Sequence, residues 1–415
     1  MTDLVHSLIT DETLADLGCD LLRIPSFKGH ETDLAIWLAD WFSARDYDVT
    51  VQEVEPGRMQ TFARLPGHSG GKSLMLNGHL DIDPLQSGWK RDPFEPTVQD
   101  GRLYGAGARN MKAGLTSMIV AAEAIRRSGM QLSGDLTLAC VAGELQGGVG
   151  TTYALRNGLT ADAAIVPEPF DSHNLVTTTC GVLELAVTTR GFSQHISRKE
   201  KSVDAVSMMM PVIHALNRID FRHDPHPGLP GLPRLLVGGL IAGRGDGHDM
   251  SGPNYTPDRC TATLDIRYVP GQTRESVLAD VRRAIDSVLD QVPALDYEIT
   301  FDSRAPYVLN QVVFEPSELP VDDPFVALVS QVYEDRHGEP PREVGAVLPH
   351  SYCGADSAHL WRAGIPAVLL GPTGPAPTPD EPDDCVFIEQ MSSVSHVLAE
   401  TAVRFCNGAP QKVTS

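Results

Sequence analysis

The residues best placed to do chemistry begin with His79 and Asp81. They close a short apolar run, Leu74-Met75-Leu76-Asn77-Gly78-His79-Leu80-Asp81-Ile82-Asp83-Pro84, which reads as a buried strand stopped by a proline. Residues two apart on a strand point to the same side. A His and an Asp at that spacing, at the carboxyl end of a core strand, is how an α/β enzyme presents a metal ligand with its neighbour. A strand that simply ends on polar residues would look the same, so other residues have to decide. Glu144 follows the apolar run Leu136–Val141, and Glu168 follows Ala163–Val166. Sites in open α/β sheets gather at the carboxyl ends of the strands, where His79, Glu144 and Glu168 would all stand.

The elements that must position them are legible as periodicity. Thr10 or Asp11 can cap a helix to about Arg23, with Leu14, Leu17, Leu21 and Leu22 on one face. Further helices are expected at about Glu31–Arg45, Lys112–Arg127 and Val386–Phe405, and strands at Asp48–Val54 and Thr61–Leu65. Alternating strands and helices predict an α/β fold, with a mixed, largely parallel sheet sandwiched by helices. From about Cys180 the texture changes. Strands at Val182–Thr189, Arg234–Ile241 and Arg259–Tyr268 share a compact α+β block with helices at Ser202–Leu216 and Thr273–Gln291. The expected organisation is a catalytic-type domain from residues 1–180 and 305–415, with 181–304 inserted; 415 residues are long for a single core.

Bulk properties exclude some functions. A net charge of −21 argues against nucleic acid or an anionic membrane as partner. No run of about eighteen apolar residues predicts a membrane span. Met1-Thr2-Asp3-Leu4 lacks the basic region and apolar core of a signal peptide. Seven dispersed cysteines without CxxC spacing read as reduced thiols, and a cytoplasmic location is expected. Gly147-Gly148-Val149-Gly150 lacks the Lys-Ser/Thr that would make it a phosphate loop.

Asn77-Gly78-His79-Leu80-Asp81, then Trp89, Asp92-Pro93-Phe94 and the stretch Gly105-Ala106-Gly107-Ala108-Arg109-Asn110-Met111-Lys112-Ala113-Gly114, resemble the co-catalytic zinc family of acetylornithine deacetylase, succinyl-diaminopimelate desuccinylase, aminoacylase and glutamate carboxypeptidase. The resemblance runs from Ile24-Pro25-Ser26 to Pro379-Asp380-Glu381. It implies two zinc ions bridged by an Asp, a Glu general base, and an inserted lid domain that often mediates dimerisation. Zinc supplies such a site with a water acidified from ~15.7 to ~7 and a polarised carbonyl.

Carried over residue by residue, the resemblance makes His79 and Glu168 first-zinc ligands, Asp81 the carboxylate that orients His79, and Glu144 the general base. The second-zinc positions depart from the pattern. The bridging Asp falls on Asn110, the second-zinc Glu on Leu145, and the distal His on Pro377. A neutral amide bridges two dications poorly, Leu145 has no donor atom, and a slip of one residue would offer only the uncharged Gln146. The remnant set, His79 and Glu168, implies no zinc or weakly bound zinc, since catalytic sites usually use three protein ligands. On the substrate side, His195 in Gly191-Phe192-Ser193-Gln194-His195 resembles the lid His that steadies an oxyanion. Asn254 matches a substrate-contacting Asn, and Arg267 a carboxylate-binding Arg; the alternative for Arg267 is a strand residue paired with a neighbouring Asp. His350 and Cys353 could line the cleft, or Cys353 could simply pack while Asp356 caps the helix after it.

Three chemistries stay open. The first is a zinc-free enzyme on this scaffold carrying out acyl transfer, amide formation or cyclisation with Glu144 as base. The second is a metal-dependent amidohydrolase, an N-acyl amino acid deacylase or dipeptidase, with a rebuilt metal site. The third is a non-catalytic binding protein. The expected partner is a small amino-acid-derived molecule bearing a carboxylate, and a homodimer through the lid is expected.

Overall fold

The computed structural model describes residues 2–303, 306, 309 and 312–408. The chain divides into two compact units, one made of residues up to Thr179, Ser317–Ser351 and from Ala355 onward, the other of Cys180–Pro316 and Tyr352–Gly354. Residues 304 and 305, where the sequence puts the return to the first domain, lie outside the described residues. The second unit continues beyond them because Val313–Phe314 pairs with the strand Gly181–Arg190, and Tyr268 donates its hydroxyl to the Phe314 carbonyl at 3.0 Å.

The first unit is built on an eight-stranded sheet. Its order is Asp48–Glu55, Arg58–Leu65, Leu136–Val141, Leu74–His79, Ala163–Val166, Ala367–Leu369, Asn174–Val176 and Glu343–Gly345. Four of the seven neighbouring pairs are parallel and three antiparallel. All six residues of Leu74–His79 are buried, as a strand covered on both faces requires. Burying a Leu side chain such as Leu74 or Leu76 stabilises the fold by about 1.5–3 kcal/mol.

Helices cover the sheet. Asp11–Leu22 starts at a capping box in which the Thr10 hydroxyl accepts from the Thr13 N–H and the Thr13 hydroxyl accepts from the Thr10 N–H. It buries Leu14, Leu17 and Leu21. Ala113–Ser128 is apolar nearly all round because it lies inside the core beside Ile388–Cys406. That last helix begins at Ile388, later than expected: Val386 belongs to a short strand, Cys385–Phe387, paired with Arg102–Tyr104. No helix among the described residues is long and apolar enough to cross a membrane.

The second unit is a five-stranded antiparallel sheet: Arg234–Gly243, Arg259–Tyr268, Gly181–Arg190 and Tyr297–Thr300 in order, with Val313–Phe314 also on Gly181–Arg190. Helices Ala205–Leu216 and Arg274–Asp286 pack their buried faces on it around Leu185, Val212, Val281 and Ile266.

Candidate active site

Three adjacent parallel strands end together and set the site. His79 is the last residue of Leu74–His79. Leu136–Val141 lies beside it in register, His79 opposite Val141, and leads into a tight turn that starts at Glu144. Ala163–Val166 flanks the other side and leads to Glu168. The Glu144 turn requires glycine at its ends. Gly143 and Gly148 have left-handed φ of 72° and 73°, and a Cβ on Gly148 would stand 2.5 Å from an Asp356 carboxylate oxygen.

The side chains converge within a few ångströms. His79 Nε2 lies 3.1 Å from Asn110 Oδ1, 3.8 Å from Glu168 Oε1 and 4.0 Å from Glu144 Oε2. Its other nitrogen, Nδ1, is 2.9 Å from the Asp81 carbonyl and 3.5 Å from the Asp81 carboxylate. The carboxylate itself is occupied with the Glu144 turn, accepting from the N–H of Glu144 at 3.1 Å and of Leu145 at 2.9 Å. Asp81 therefore orients His79 chiefly through its backbone, and fixes the turn that carries Glu144 through its side chain.

The site holds more negative charge than it pairs. Glu144, Glu168, Asp81 and Asp356 are all buried around one imidazole. Burial, with the neighbouring carboxylates of Glu168, Asp356 and Asp81, pushes Glu144 well above the usual range. Burial first, then Asp356 and Asp81, raises Glu168 to about 7 against the pull of His79. Burial alone would lower His79, but Asp81, Glu168 and Glu144 together hold it well above its ordinary value. Burial would likewise raise Asp81, yet His79 and the Leu145 N–H keep it low. Asp356 is raised to about 6 by burial, and the Thr151 hydroxyl bonded to it works the other way.

These donors fit one cation. One ligand atom each from His79, Glu144 and Glu168 lies within 4.8 Å of the other two. Glu168 Oε1 is buried and accepts no hydrogen bond among the described residues, the state of an oxygen awaiting a cation or a proton. Asn110, Leu145 and Pro377, the positions that the resemblance gives to a second cation, offer between them only one amide.

The remaining residues named from the sequence divide between the units. In the first, His350 stacks on Phe170, two residues beyond Glu168, with ring centroids 5.2 Å apart. Asp356 occupies the cap position of Ser357–Arg362 but makes no capping bond. Its Oδ2 instead accepts from Thr151 at 2.8 Å, and Thr151 accepts from Asn77 at 3.1 Å. In the second unit, His195 and Asn254 are brought together: the Ile196 N–H donates to the Asn254 carbonyl at 2.7 Å, and the His195 ring packs edge-on against Tyr255. Arg267 is engaged bidentately by Asp265, at 2.6 and 2.8 Å. Cys353 is exposed.

Sequence reading missed two supports. Arg58 and Glu31 form a buried bidentate pair beneath the Glu144 turn, where a Cβ on Gly143 would stand 2.7 Å from Arg58 Nη2. Lys112 is buried and donates to the carbonyls of Leu21 and Ile24 at 3.0 and 2.6 Å, tying the Asn110 segment to the end of a helix.

With this geometry in view, the chain belongs to peptidase family M20/M25/M40, whose sequence model matches residues 75–404. It is 25% identical over 398 residues to the N-formyl-4-amino-5-aminomethyl-2-methylpyrimidine deformylase of Bacillus subtilis, covering 89% of this chain and 88% of that one. It is 29% identical to the acetylornithine deacetylase of Proteus mirabilis, covering 95% and 97%. Among solved structures, the M20 family metallo-carboxypeptidase Sso-CP2 of Sulfolobus solfataricus shares the fold with a TM-score of 0.74 at 18% identity, over 95% of this chain and 99% of that one.

Proposed function

We propose that this protein is a one-metal amidohydrolase that removes the acyl group from a small, amino-acid-derived N-acyl amine. The observation that carries this reading is the unbonded, buried Glu168 Oε1 facing His79 Nε2. The family and the two relatives named for deformylation and deacetylation support hydrolysis over acyl transfer. They support the metal-dependent alternative over the zinc-free chemistry that the altered ligands first suggest. The retained base and imidazole weigh against a purely binding role.

Of the three donors that converge, His79 and Glu168 would hold the cation, joined by the amide oxygen of Asn110 beside His79 Nε2, which leaves Glu144 for the proton. When bound, the cation supplies a Lewis acid for the amide carbonyl and lowers the pKa of water. Glu144, made more basic by burial, accepts a proton from the attacking water and returns it to the leaving nitrogen as the C–N bond breaks, releasing a carboxylic acid and an amine. Asp81 holds both participants, His79 by its carbonyl and the Glu144 turn by its carboxylate. We assign His195 to the developing oxyanion and Asn254 to substrate contact, with the second unit acting as lid and dimerisation surface. This part rests on the resemblance of their motifs.

The test is hydrolysis of N-formyl and N-acetyl amino acids and amines by protein reconstituted with zinc, cobalt or manganese. Release of free amine that chelation stops supports the reading. Amine release that survives chelation contradicts it.

A further inference from the structure

Away from the catalytic residues, the helical layer of the first unit carries a cavity of about 240 Å³. Asp16, Leu17 and Asp20 reach it from one stripe of Asp11–Leu22, and Val120, Ala124 and Arg127 from one stripe of Ala113–Ser128. Both stripes follow the three-and-four spacing that puts side chains on one helix face. Leu17, Val120 and Ala124 are buried and make an apolar floor, with Leu8 and Trp41 half-buried beside them. The lining includes none of His79, Asn110, Glu144 and Glu168.

The rim carries both signs of charge, and most of them are engaged. Glu123 accepts from Arg126 Nε and Nη2, both at 2.8 Å, and from the Tyr47 hydroxyl at 3.3 Å. Asp20 accepts from Arg23 at 2.8 Å. Arg45 lies over the Trp41 ring, 3.8 Å from its centroid, and donates to the Trp41 carbonyl at 3.0 Å. Two opposite charges are left over. Asp16 and Arg127 border the same cavity, and neither makes a hydrogen bond or an ion pair, with the other or with any further group, among the described residues.

We propose that this cavity binds a free α-amino acid with an apolar side chain, at a site separate from the catalytic centre. The α-ammonium meets Asp16, the α-carboxylate meets Arg127, and the side chain covers the floor. A ligand with one charge would leave Asp16 or Arg127 without a partner, and an uncharged one would leave both. The volume falls below the ~300–1,000 Å³ of pockets that hold larger ligands, which suits a molecule of this size. Asp16 and Arg127 are exposed, so their ion pairs are weak. The apolar floor therefore supplies most of the affinity, and the two charges select the class of ligand. The inference does not rest on the amidohydrolase reading, because no group of that site takes part.

Calorimetry on the metal-loaded protein tests this with L-valine, L-leucine and L-methionine, and with glycine as the control without a side chain. The tightest of the three is then compared with its decarboxylated amine and its deaminated acid. It should bind about tenfold or more tightly than glycine, from the methyl and methylene groups it buries. It should bind about two- to fivefold more tightly than either single-charge analogue, the scale of a solvent-exposed ion pair. Asp16→Asn should bring the amino acid down to the level of the acid, with binding of the acid itself unchanged. Arg127→Gln should bring it down to the level of the amine, with binding of the amine unchanged. Both substitutions are on exposed side chains, and thermal melting checks that the fold is kept. No binding by any of the three amino acids at millimolar concentration overturns the proposal, as does binding no tighter than that of the two analogues. Undiminished amino-acid binding in either variant overturns it too, and is the result expected if the amino acid occupies only the catalytic centre.

Discussion

Glu168 directs its Oε1 at His79 Nε2 from 3.8 Å, and that buried oxygen accepts no hydrogen bond among the described residues. A carboxylate left so is costly unless a proton or a cation meets it. Glu168→Gln keeps the volume and removes the charge. It should weaken metal binding by at least the ~100-fold seen at the upper end for residues that only support a ligand. Metal titration followed by calorimetry reads this directly, and unchanged affinity would remove Glu168 from the ligand set.

Glu144 is given the proton rather than the cation. Glu144→Gln should therefore lower kcat by about 10²–10⁴-fold while the bound metal per chain stays as in the wild type. Loss of metal together with activity would make Glu144 a ligand and leave the base to be found elsewhere.

The raised carboxylates make stability depend on pH. Glu168 at about 7 and Asp356 at about 6 bind protons in the folded metal-free protein that the unfolded chain has already lost. Between their unfolded values near 4 and about pH 7, folding takes up protons, so stability falls as pH rises through that window. The raised His79 acts in the same direction. A divalent cation replaces those protons, and its stabilising effect should grow across the same range. Thermal melting with and without zinc should show a shift that rises from near zero at pH 5 to on the order of 2–5 °C at pH 7.5. A shift that shrinks as pH rises would contradict the site's charge balance.

Arg58 and Glu31 carry the Glu144 turn from below. Glu31→Gln leaves the Arg58 guanidinium buried without its main partner, and should cost about 3–5 kcal/mol of stability. Denaturant unfolding measures it. A change under about 1 kcal/mol would mean that Glu55, which accepts from Arg58 Nη1 at 2.9 Å, compensates.

How much of this was legible depended on how locally it was encoded. The strand ending at His79 announced itself by an apolar run and a proline, and Glu144 and Glu168 followed runs of the same kind. The supports did not. Arg58 meets Glu31 across 27 residues of sequence and Thr151 meets Asp356 across 205, so no periodicity joins them. Val386 read as helix because it is apolar and adjoins a helical pattern, but its backbone is claimed by Leu103. Asp356 sits where a helix cap belongs, yet Thr151 takes its side chain.

The central claim is one functional metal on a scaffold whose relatives include metallo-enzymes. Metal-free protein titrated with zinc, with bound metal and hydrolysis of an N-acetyl amino acid followed at each addition, tests it most directly. Activity should rise with the first equivalent and reach its plateau at one metal per chain. A plateau that requires two metals per chain, or full activity in protein holding none, would contradict it.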